Sequence, residues 1–199
     1  MASDLPELLV ADVAAWRRWL DEHNQDPRGV WLVLAKKGAL EPTSLTHEQA
    51  LEEALCFGWI DGQVKRRGET TFRQRFVPRR ARSGWSKRNV GIAERLRAEG
   101  RMHHSGLRQM KAAMADGRWE AAYAGSATIE TPPDLVAALA ANPEARTMFD
   151  ALTSQNRYAV LYRIGTAKRS ETRVRRIAGF VAMLARGETP YPQKRRAGE

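Results

Sequence analysis

Apolar residues recur at helical spacing near the start of the chain. Val13, Trp16 and Leu20 form one stripe, Trp19 lies beside it, and Asp12 precedes them as an N-cap, which predicts a helix to about Asp21. Turn residues Asn24, Asp26, Pro27 and Gly29 follow. The continuous apolar run Val30-Trp31-Leu32-Val33-Leu34-Ala35 then reads as a short buried strand, ended by Lys36, Lys37 and Gly38. Thr46 with Gln49 is a capping-box signal, and Ala50, Leu51, Ala54 and Leu55 continue it at helical spacing over 47–57.

Beyond Gly58 the period changes from helical to alternating. Residues 59–67 and 70–77 alternate around Gly68, predicting a β-hairpin that Pro78 stops. Matching apolar with apolar puts Ile60 and Val64 on the face of Phe72 and Phe76. Directly paired residues share a face, so a three-residue connection around Gly68 is expected. Asp61 then falls opposite Arg75 and Gln63 opposite Arg73.

Ser86 is placed to cap a helix to about Glu99, with Gly100 after it, and Ser105 to cap another to about Asp116, with Gly117 after it. Tyr123–Thr131 lacks a period and precedes Pro132-Pro133, so it reads as a linker. The last third reads as helices. They begin at Thr131 with Pro132 at N1, at Asn142 with Pro143 and at Ser154, and Ser170 caps the last, which ends at Gly187. In that last helix Val174, Ile177, Val181 and Leu184 form the expected buried stripe, with Arg173, Arg175 and Arg176 mostly off it. The predicted fold class is α+β: a domain over 1–125 with a small antiparallel sheet and helices, and a C-terminal helical module over 131–187. A disordered tail over 188–199, carrying Lys194, Arg195 and Arg196, completes the reading.

Charge changes this picture more than composition does. The 199 residues are 43% hydrophobic with six Trp, enough for a substantial core, and the formal net charge is +10. Residues 1–59 carry 5 basic and 10 acidic side chains, whereas residues 60–111 carry 15 and 4. A middle third this basic suits phosphates or other anions, since neutralising phosphates releases counterions. One cysteine, Cys56, excludes an intramolecular disulfide and fits a reducing compartment. The first sixteen residues carry acids instead of a basic n-region, and no stretch is long and apolar enough to span a membrane, so a cytoplasmic protein is expected.

Nucleotide-binding glycine loops and the common serine-nucleophile motifs are absent. His47-Glu48 begins like a zinc-protease motif, but Leu51 stands where its second His would be, and His103 with His104 reads as an exposed turn pair. No metal and no cofactor are expected. Cys56, between Leu55 and Phe57 on an apolar helix, reads as a buried structural thiol. The candidate binding residues are Trp59, Asp61, Arg73, Arg75, Arg79, Trp85, Ser86 and Asn89. Asp61 is an acid among arginines, expected to pair with one of them, and Trp59 and Trp85 offer rings for stacking or for the core.

The same residues carry a resemblance. Gly58-Trp59-Ile60-Asp61-Gly62, Arg75-Phe76-Val77-Pro78-Arg79 and Ser83-Gly84-Trp85-Ser86-Lys87-Arg88-Asn89 resemble elements of the YdeI/OmpD-associated, or bacteriocin-protection, family. Pro133-Asp134-Leu135, Ala138-Leu139, Asn142, Ala145 and Phe149, then Ala167-Lys168, Glu171-Thr172-Arg173 and Arg176-Ile177, resemble its C-terminal helical module, so the resemblance spans most of residues 12–187. It implies a link to resistance against bacteriocins or cationic antimicrobial peptides and to an outer-membrane porin in a periplasmic setting. It carries no catalytic residues. A chain of net charge +10 repels a cationic peptide at long range, so simple sequestration would have to use the acidic 1–59 segment.

Three functions compete at this stage. The first is a non-enzymatic binding protein with a basic, anion-binding surface over residues 59–89, a role in stress or peptide resistance, and room for a protein partner. The second is a nucleic-acid binder using the arginine-rich 65–88 segment and the Arg173–Arg176 helix, with weak, salt-sensitive contacts. The third is an enzyme with a small pocket around Asp61, Arg75, Trp85 and Asn89.

Overall fold

A computed structural model of the chain describes residues 5–193. The predicted Lys194, Arg195 and Arg196 tail lies outside the described residues. The chain divides into two compact units, Met1–Ala122 and Tyr123–Glu199.

The first unit contains β1 (Glu7–Leu8), α1 (Val13–His23), β2 (Val30–Ala35), α2 (His47–Cys56), β3 (Trp59–Arg66), β4 (Thr71–Pro78), α3 (Lys87–Ala98) and α4 (His104–Ala115). The sheet order is β1-β2-β4-β3. β2/β4 and β4/β3 are antiparallel, but the two-residue β1, which no sequence pattern announced, runs parallel to β2, so the sheet is mixed. The fold is α+β. As predicted, β2 joins the sheet of the hairpin, and all six of its residues are buried.

Helix starts follow local chemistry. Asp12 accepts the Ala15 N–H at 2.8 Å, and Thr46 with Gln49 closes the expected capping box. Ser86 caps α3 as predicted. Ser105 does not cap α4: the helix starts two residues earlier with His103 as N-cap, and Ser105 is buried in its first turn. Trp16, Leu20, Leu32, Leu34, Leu51, Leu55, Trp59 and Phe76 fill the core between the sheet and helices α1 and α2. Trp16 Nε1 donates to Ala50 O at 3.1 Å, joining α1 to α2. Behind this core the buried Glu53 carboxylate accepts from Arg17 at 2.5 Å and Arg101 at 2.7 Å. Two guanidiniums offset the cost of burying one carboxylate, so the trio holds α1, α2 and the segment after α3 in one arrangement.

The second unit is helical: α5 (Pro133–Ala140), α6 (Pro143–Asp150), α7 (Ser154–Gly165) and α8 (Ser170–Ala185) surround Leu135, Leu139, Phe149, Val160, Ile164, Ile177 and Leu184. Asn142 caps α6 as predicted. α5 starts one residue later than expected, with Pro132 as N-cap, while Ser170 does not cap α8 but is its first residue, with Arg169 as N-cap and no side-chain cap hydrogen bond, and the helix ends at Ala185. Val174 is 67% exposed and leaves the expected buried stripe, because α8 turns Ile177 and Leu184 inward with Phe180 and Val181 beside them. The described part of the expected tail is anchored. Buried Asn156 donates to Tyr191 O and Gln193 Oε1 and accepts the Tyr191 N–H, so residues 188–193 are strapped to α7.

Candidate functional site

The hairpin register decides which side chains share a face. Trp59, Ile60 and Asp61 lie opposite Pro78, Val77 and Phe76. A register shift follows, after which Val64, Lys65 and Arg66 lie opposite Gln74, Arg73 and Phe72. The expected pairs Asp61/Arg75 and Gln63/Arg73 do not form, and residues 67–70 make the connection instead of a three-residue turn. The physical reason is the irregularity at Gly62-Gln63: an extra residue in one strand reverses the alternation beyond it. Asp61 therefore turns to the helix-covered side and Lys65 to the outer side.

Contacts agree with that division. Lys65 Nζ stands 4.5 Å and the Arg73 guanidinium 5.5 Å from the Trp31 ring, and Trp31 pairs directly with Arg75 across β2/β4. The outer face thus gathers Lys65, Arg73 and Arg75. Arg75 Nε is buried with no hydrogen-bond partner among the described residues. Glu7 is the acid on this side. It accepts from Arg67 at 2.9 Å and Arg73 at 3.2 Å, and the Arg67 hydrogen bond leads in holding its carboxyl below the usual Glu range.

Asp61 has no arginine partner among the described residues. Its Oδ2 accepts from Gln74 Nε2 at 3.0 Å and lies 3.1 Å from His47 Nε2. The expected Asp–Arg pairing is replaced by Asp–His because the register shift carries the carboxylate under α2.

The other singled-out residues stabilise the fold. Trp59 is fully buried with its Nε1 donating to Asn24 O, which leaves no ring face for stacking. Arg79, 5% exposed, lies 3.5 Å over the Trp85 ring and donates to Gly84 O, while Trp85 meets Trp119 edge-on at 4.7 Å. Ser86 Oγ accepts the Asn89 N–H at 3.1 Å, and Asn89 is buried. Around them Arg80, Arg82, Lys87 and Arg88 are exposed. In the second unit Arg173 is held by Asp134 and Arg176 donates to Arg163 O, leaving Arg175 exposed.

A cavity of about 400 Å³ opens beside α1, lined by Ala14, Arg17, Arg18, Asp21, Phe57 and His103. Ser105 Oγ lies 2.8 Å from His103 Nδ1, and His103 Nε2 lies 3.8 Å from Asp21. The string has the residue types of a hydrolase triad. Yet Ser105 Oγ donates to Phe57 O and is buried, so it closes the start of α4 instead of facing a substrate. His103 is accordingly a helix cap with its ring on Phe57 instead of part of an exposed turn, while His104, the first residue of α4, is exposed. Among the described residues no group of three or more His, Cys, Asp or Glu side chains could hold a metal, and no helix is long and apolar enough to cross a membrane.

Residues 8–109, a little over half of the chain, match the family model described as a domain of unknown function, DUF8412. The chain belongs to that family. The DUF8412 match contains the whole hairpin, its outer cations and the His47–Asp61 pair. Residues 128–187 match a second model, described as bacteriocin-protection, YdeI or OmpD-associated, so the resemblance expected over most of 12–187 is carried by the helical module. No curated protein and no solved structure matches the chain.

Proposed function

We propose that this DUF8412 protein is a non-enzymatic binding protein that takes phosphate-bearing polyanions on the outer face of its sheet. The observation that supports the reading is the register shift, which collects Lys65, Arg73 and Arg75 on one face and sends Asp61 to the other. The exposed Arg80, Arg82, Lys87 and Arg88 extend the positive surface along the chain. Trp31 is only 4% exposed beneath its two cations, so it offers no stacking platform, and the contacts are to phosphate without base readout. A protective role of the kind named for the bacteriocin-protection family would then act through anions, since a net charge of +10 repels cationic peptides.

Fluorescence anisotropy with a labelled single-stranded oligonucleotide across a salt series tests this. Weak binding at low salt that fades towards physiological salt is expected, with a log–log slope of roughly −0.7 per phosphate contact. Replacing Lys65 and Arg75 with Ala should flatten the slope. Absence of binding at low salt, or sequence-selective binding that resists salt, would overturn the reading.

A further inference from the structure

The four histidines of the chain differ in what holds their rings. His23 Nδ1 donates to Trp19 O at 2.8 Å, and the ring stacks on Trp19. His103 Nδ1 is engaged with Ser105 at the start of α4. His104, the first residue of α4, is exposed, with its ring 3.8 Å from that of His103. His47, the first residue of α2, is bonded to a carboxylate.

That bond sets the chemistry of the ring. An ionised carboxylate only accepts, so the hydrogen between His47 and Asp61 is carried by Nε2, and the neutral ring has its lone pair on Nδ1. Asp61 is itself held: Gln74, 4% exposed, donates to the same Oδ2 at 3.0 Å and to Gly62 O at 3.3 Å. The imidazole is therefore oriented by a fixed carboxylate, as activated histidine nucleophiles and bases are. Both side chains remain accessible, at 28% and 26% exposure. Arg66 follows Asp61 and Val64 on this face of β3, exposed and outside every ion pair among the described residues.

We propose that His47 is a phosphoryl-acceptor site for donors of the phosphoramidate class. Nδ1 attacks phosphorus and forms a new N–P bond. The donor's own N–P bond breaks, and its protonated nitrogen leaves as the neutral amine with the bonding pair. The imidazole becomes positively charged, and its Nε2–H remains shared with the Asp61 carboxylate, which compensates that charge. The phosphoryl group then sits on a basic protein, with Arg66 as the cation of the same strand face. This site lies on the opposite side of the sheet from the polyanion surface and does not depend on it.

The test is to incubate the full chain with potassium phosphoramidate near neutral pH, follow the product by phosphorus NMR, and map it by peptide mass at alkaline pH. His104 is the internal control, because it occupies the same first helical position with no carboxylate bonded to its ring among the described residues. His47 should label about tenfold faster than His104, the factor an ordinary charge-assisted hydrogen bond supplies. Asp61→Asn should reduce His47 to the rate of His104 and leave His104 unchanged. Equal labelling of the two histidines in the unaltered chain, a comparison that needs no variant to fold, would overturn the proposal. So would an Asp61→Asn variant that labels His47 at the original rate.

Discussion

The Asp134 carboxylate is gripped by the Arg173 guanidinium through two hydrogen bonds, at 2.5 and 2.8 Å, and Arg173 also donates to Ile164 O at the end of α7. One arginine of α8 thus ties α5 and α7 together. Those two residues come from the Pro-Asp-Leu and Glu-Thr-Arg elements of the helical module, so their role there is architectural.

Replacing Arg173 with Ala should therefore cost more than replacing Asp134 with Asn. The arginine change also removes the partner of a helix-end carbonyl, while both side chains are partly exposed and the ion pair itself is screened. Roughly 1–2 kcal/mol is expected for Arg173→Ala and less than about 1 for Asp134→Asn, by urea unfolding. The Arg173 hydrogen bond holds the Asp134 carboxyl below the usual Asp range, so the pair's contribution is present above that range and lost as pH falls through the lowered value. Equal losses for the two variants would contradict the tie to Ile164.

Helix capping was legible in the sequence at Asp12, Thr46 with Gln49, Ser86 and Asn142, which all cap as expected, but at α4 and α8 His103 and Arg169 stand where Ser105 and Ser170 were expected. The buried strand Val30–Ala35 was legible because a continuous apolar run of that length has few other uses. The hairpin faces were not. Alternation assigns faces only while the ladder is regular, and a single shift between Asp61 and Val64 reverses every assignment on one side of it. Gly62 was the only local signal, and a glycine in a strand also fits an unbroken ladder. Arg73 and Arg75 share a face, as expected, because they alternate in the regular strand. His47 was missed as a partner of Asp61 because their meeting depends on that shift and on the docking of α2.

Gly106 and Gly91 should respond in opposite senses to alanine. A Cβ at Gly106 would stand 2.1 Å from Cys56 O, where α4 meets the end of α2, and a backbone carbonyl cannot step aside. Gly106→Ala should destabilise the first unit by about 3 kcal/mol or more. Gly91 lies within α3 with nothing near its would-be Cβ, so Gly91→Ala should stabilise by about 0.5–1 kcal/mol through helix propensity. Thermal or urea unfolding of both variants checks the pair, and a neutral Gly106→Ala would refute the close approach.

Cys56 should be silent towards thiol reagents in the folded protein. Burial leads in pushing its thiol up to about 11, with the Glu53 charge adding to it, and the side chain is fully covered in the core. A disulfide-exchange reagent at pH 8 should give no signal until urea unfolds the chain, then one thiol per molecule. Rapid reaction in the native state would show that the end of α2 opens.

His103 offers the clearest pH response. Burial first, then the neighbouring His104 charge, with Arg108 and Arg17, hold its imidazole below the ordinary range, and Asp21 opposes them. A histidine that protonates less readily when folded penalises the native state as pH falls, so stability is full above about pH 6.5 and declines as pH drops from there through the lowered value. His104→Ala removes the closest like charge while leaving the exposed position tolerant of change. The His103 ring should then titrate at higher pH by NMR, and the variant should lose less stability between neutral and mildly acidic pH than the parent. A midpoint that stays in place after His104→Ala would mean that burial, with the Arg108 and Arg17 charges, sets the shift without His104.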